Sequence, residues 1–99
     1  MASVNTLYVS SHVNIAMLRR GLITTTILAQ AIARPTRYIR RLITRRNVIA
    51  IRDGYSYYID LLSVEVYYRT CRNTIVLQQL SELRRQIQQY LLSRDTKCY

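Results

Sequence analysis

Six arginines fall between positions 34 and 46: Arg34, Arg37, Arg40, Arg41, Arg45 and Arg46. No acidic residue stands among them, and the first in the chain is Asp53. A guanidinium presents a rigid planar fork of donors that matches phosphate oxygens or the edge of a guanine. At 3.6 residues per turn, Arg37, Arg41 and Arg45 share one helical face, with Arg40 and Thr44 beside it. Ile39, Leu42 and Ile43 point elsewhere. A helix held by its apolar side, with guanidinium groups outward, suits the major groove of B-form DNA. Such a row repels itself unless a polyanion relieves it, whereas a merely solvated face would mix signs.

Three smaller groups have the same chemistry. Arg52 precedes Asp53-Gly54, a strong hairpin signal, and is placed to meet a phosphate or a minor groove. Arg19 and Arg20 lie upstream, and Thr24, Thr25 and Thr26 supply hydroxyls suited to phosphate oxygens or to helix capping. Tyrosines offer stacking surfaces for unpaired bases. Tyr55, Tyr57 and Tyr58 fall in a predicted strand, however, and with no Phe or Trp in the chain Tyr must also fill the core. Catalysis needs acids, bases or nucleophiles acting together. Five acids, one His and two distant Cys form no such set and no metal site. No cofactor is implied. Cys71 and Cys98 are expected to be reduced and structural.

The chain that positions these groups has 99 residues, enough for one small domain or a domain with one appended element. Its charge is unevenly spread. Residues 1–52 contain nine Arg and no acid, whereas residues 53–99 contain six basic and five acidic residues. A basic half joined to a nearly neutral one suggests a polyanion-binding part and a structural part. No apolar run approaches the ~20 residues of a membrane span, and Met1–Val4 do not open a secretory signal. A cytoplasmic, nucleoid-associated protein is the expectation.

Residues 1–10 are predicted to form an N-terminal arm. Ser10 or Ser11 would cap a helix over 12–20 that stops at Gly21. Leu22–Thr24 form a β-like step, and a Thr caps a second helix carrying Ile27, Leu28, Ala31 and Ile32. Arg34-Pro35 breaks that helix and starts a third, over 35–46, with Asn47 as its left-handed end. The hairpin spans Val48–Asp60 with Asp53-Gly54 as its turn. Asp60 caps a further helix supported by a Glu65–Arg69 pair. Val76, Leu80, Leu83, Ile87 and Tyr90 then repeat at 4-3-4-3 spacing, a short heptad seam.

Leu28-Ala29 followed by Ile32-Ala33, then Ile39 and Ile43, resembles helix-turn-helix spacing. With the hairpin behind it, roughly residues 11–65 resemble the winged-helix superfamily. The last helix resembles the dimerisation helix of PadR-like regulators and of small archaeal winged-helix chromatin and plasmid-partition proteins. Where many members have Gly in the turn, this chain has Ala33-Arg34-Pro35. The resemblance implies an α+β, mainly α, fold: a winged helix-turn-helix over 11–60 with a two-stranded wing, and a C-terminal dimerisation helix with its tail over 61–99. It implies a homodimer on double-stranded DNA, singly or in higher-order assembly, with helix 35–46 in the major groove. The role would be transcription regulation or DNA organisation, including partition. An RNA-binding or ribosome-associated protein is the competing expectation.

Overall fold

The computed structural model describes residues 14–96, with side chains through residue 93. The expected arm and the Ser10 or Ser11 cap lie outside the described residues. Asn14 caps the first helix, α1 (Ile15–Arg19), its side-chain oxygen accepting from the Met17 amide at 3.2 Å. Gly21 follows with φ 77°, a conformation that costs glycine little. The chain then enters β1 (Leu22–Thr24), and Thr24 caps α2 (Thr25–Ala31), its Oγ1 accepting from the Ile27 amide at 3.2 Å. Next come α3 (Thr36–Thr44), β2 (Ala50–Asp53), β3 (Ser56–Asp60), α4 (Leu61–Thr70) and α5 (Thr74–Thr96).

The molecule is mainly helical, with one three-stranded antiparallel sheet in the order β1-β3-β2. The hairpin is therefore not an isolated pair. Ile23 lies opposite Ile59, and β1 covers the edge of β3 away from β2. Asp53 pairs with Ser56, which moves the turn one residue on from the expected position, to Gly54-Tyr55. Glycine at the first central position, with φ 65°, fits a type II′ turn.

Three helices end in the same way. Ala33, Arg46 and Arg72 have φ of 55°, 60° and 56°. The amides that follow them reach back into the last turn: Arg34 to the Ala29 carbonyl at 2.9 Å, Asn47 to Leu42 at 2.9 Å and Asn73 to Tyr68 at 3.1 Å. These are Schellman ends built without glycine. They correct two expectations. The third helix stops at Thr44, and the left-handed residue behind it is Arg46, not Asn47.

A single apolar core runs through all these elements, with Ile23, Leu28, Ile39, Ile59, Leu61, Val64 and Leu80 at its centre. The expected dimerisation seam belongs to it. Val76, Leu80, Leu83, Ile87 and Tyr90 are each 9% exposed or less within one chain. They pack into the domain, where α5 lies against α4, α1 and α2. The stripe folds back because a domain this small needs its apolar surface for its own core. Residues 61–96 accordingly form two helices of the same body, not an appendage. Glu65 also departs from expectation: its partner is Arg84 of α5, not Arg69. Cys71, at the C-cap of α4, is free and exposed.

Candidate nucleic-acid interface

Helix α3 is anchored on its inner side. Ile39 and Leu42 are buried, Ile43 packs against the core, and α3 lies across α2. Its N-cap is Pro35, whose fixed φ suits the entry to the helix and whose missing amide hydrogen costs nothing there. Tyr38 ties the helix to α4, its hydroxyl 3.2 Å from that of Tyr68. Arg34 lies over the Tyr38 ring at 5.4 Å. A residue in the turn, one on α3 and one on α4 are thereby linked. Sequence alone assigned Tyr38 no role.

The outer side of α3 is cationic. Arg37, Arg40 and Arg41 on the helix, Arg34 before it, and Arg45 and Arg46 after it are all exposed. The ion pairs among the described residues are Glu65–Arg84 and Glu82–Arg85, and neither involves α3. Arg37 and Arg41 stand one turn apart on the helix, and Arg45 caps its C-terminus.

Arg40 turns toward the hairpin. With Thr24, Thr25, Thr26, Tyr55, Ser56 and Tyr57 it lines a cleft of about 360 Å³ between the start of α2 and the strands. Arg52 lies over the Tyr57 ring at 5.6 Å and donates from Nε to the Gly54 carbonyl at 3.1 Å, so the hairpin tip holds its guanidinium in place. The structure thus brings Thr25 and Arg40 together, with Tyr57 carrying Arg52 to the same side. Tyr55 was expected in a strand and instead stands at the turn, 99% exposed. A type II′ reading of Gly54 would have placed it there.

Arg19 and Arg20 do not join this group. They line a different cleft, with Asp60, Glu65 and Arg84, on the side where α1 meets α5. Two carboxylates in that cleft give it a mixed charge, unlike the surface of α3.

The chain matches no family model, no curated protein and no solved structure. The functional reading therefore rests on this geometry alone. No helix among the described residues is long and apolar enough to cross a membrane.

Proposed function

We propose that this chain is a winged helix-turn-helix protein that binds double-stranded DNA, with α3 in the major groove. The observation that carries the reading is the outer face of α3: exposed arginines without a carboxylate partner, on a helix whose opposite side is buried. A helix of that kind fits the major groove, where Arg37 and Arg41 reach base edges. Arg40 with Thr25 and Arg52 at the hairpin tip serve the sugar-phosphate backbone, fixing register without reading sequence. Arg34, Arg45 and Arg46 extend the positive surface at the two ends of α3. The three-stranded sheet supports the reading because it holds the hairpin beside that helix.

The biological role is transcription regulation or DNA organisation, including partition, since the same contacts serve both. The homodimer expected at the C-terminal seam is not proposed there, because the seam is buried within one chain. Selection of the pure protein on a random duplex pool and on a matched RNA pool, at several salt concentrations, tests the function. Recovery of a defined duplex site supports a regulator. Sequence-independent duplex binding with a steep salt slope supports an organiser. A preference for RNA overturns the proposal in favour of the RNA-binding alternative.

A further inference from the structure

The exposed apolar surface of this chain is concentrated outside the arginine face. Ile49 is 63% exposed, Leu62 57% and Val66 45%. Leu62 and Val66 stand one turn apart on α4 and so share a face. Ile49 is fixed beside them, because its amide donates to the Ser63 hydroxyl at 2.9 Å and its carbonyl accepts from the Asp60 amide at 2.9 Å. The three side chains line a groove of about 440 Å³ between α4 and the segment entering β2. Ile51, 41% exposed, continues the apolar surface along β2, whose outer edge has no strand beside it. Grouped apolar side chains next to an open strand edge mark an interaction surface.

The charges at the groove indicate what fits it. Its lining contains one acid and one base, Asp60 and Arg46. Asp60 stands at the N-cap of α4. Arg46 stands toward the other end, since its neighbour Arg45 acts electrostatically on the Tyr67 phenol. The ten residues of α4 separate the ends by about 15 Å. A polyanion would meet Asp60 and apolar side chains here. The surface that fits is apolar along its middle and carries the opposite charges in reverse order. A copy of the same groove related by a two-fold axis meets both requirements, because in such an interface each end of one groove faces the other end of its mate. We infer that two copies of this chain pair through the α4–β2 groove, with Leu62, Val66 and Ile49 at the centre and Arg46 of each copy against Asp60 of the other.

The inference does not depend on nucleic-acid binding, so its test is run without DNA. Sedimentation of the full chain at micromolar concentration is expected to show twice the mass of one chain. Leu62→Glu and Val66→Glu are expected to raise the dimer dissociation constant by at least about tenfold, with helical content and melting retained because both sites are exposed. Hydrogen exchange of the wild type, which needs no variant, is expected to slow along α4 and the start of β2 as protein concentration rises. A wild type at single-chain mass at its highest soluble concentration overturns the inference. So does a dimer that survives both substitutions, or one whose protection maps elsewhere.

Discussion

Glu65 and Arg84 meet as a two-pronged pair between α4 and α5. Arg84 donates from Nε to Glu65 Oε2 at 2.9 Å and from Nη2 to Oε1 at 2.7 Å. Glu65 is largely shielded, its side chain 14% exposed, while Arg84 is 41% exposed. The same pairing holds the Arg84 guanidinium above its ordinary range, the hydrogen bonds to Glu65 outweighing the cost of burial. Two charge-assisted bonds in this geometry fix how α5 lies on α4. Glu65→Gln keeps the shape, removes the charge and leaves one acceptor where there were two. We expect a loss of about 1–2 kcal/mol, read as a lower urea midpoint with unchanged slope. Arg69→Ala, at the partner expected from sequence, should be nearly silent.

That contrast shows how the sequence was legible and where it was not. A pair at i,i+4 is the natural expectation for Glu65, because helical neighbours are visible in the chain. Arg84 lies nineteen positions away and becomes a neighbour only once α5 has folded back. The heptad seam was legible as an apolar stripe for the same local reason. A period of 3.5 shows that a face is buried but not against what, so the seam could not reveal that α1, α2 and α4 cover it. Local signals located Thr24, Pro35, Gly21 and the inner residues of α3. The cleft joining Thr25 to Arg40 and Tyr57 depends on packing and had no local signal.

Burial of the seam makes a second prediction. Leu83 is 4% exposed and Ile87 7%. A carboxylate at either site has no cationic partner in the core and would have to stay charged at a heavy cost or take up a proton. We expect Leu83→Glu to cost on the order of 4 kcal/mol or more. That is a large share of the roughly 5–15 kcal/mol available to a small domain. Circular dichroism should show loss of the cooperative melt. A folded monomer with a normal melt would mean that the seam is not part of the core.

The helix ends give a third. Ala33 occupies the left-handed region with φ 55° and is exposed. Its Cβ costs roughly 1–2 kcal/mol in that conformation, offset in part by the greater chain entropy glycine would bring to the unfolded state. Ala33→Gly should therefore stabilise the fold by up to about 1 kcal/mol, seen as a melting temperature raised by a few degrees. Ala33→Val, β-branched at the same backbone angles, should lower it.

A fourth concerns alkaline pH. Burial pushes the Tyr68 phenol well above its ordinary value of 10, and its hydrogen bond to Tyr38 adds to the shift. The unfolded chain gives up this proton near its ordinary value while the folded chain keeps it. The contribution is complete below about pH 10 and is lost as pH rises through the folded value. Stability should fall with pH above about 10, and Tyr68→Phe should flatten that limb while losing the bond to Tyr38. Urea midpoints measured between neutral pH and the alkaline limb check both effects.

The last prediction separates reading from anchoring on the proposed interface. Arg37 and Arg41 lie on the N-terminal half and middle of α3, the part of such a helix that usually meets base edges. Arg40 shares its cleft with the threonine hydroxyls and Tyr57, a setting suited to a phosphate. Arg37→Ala or Arg41→Ala should cost about 1–3 kcal/mol on the preferred duplex and relax discrimination at the bases each one reaches. Arg40→Ala and Arg52→Ala should weaken all duplexes alike and reduce the salt slope by about one for each phosphate no longer neutralised. Arg19→Ala and Arg20→Ala, which sequence alone would place with that second pair, lie in the mixed-charge cleft and should alter the slope least. Fluorescence anisotropy on the selected site and on a scrambled duplex, across a salt series, measures all six. If discrimination survives both Arg37→Ala and Arg41→Ala, α3 is not the reading helix and the proposal fails at its central element.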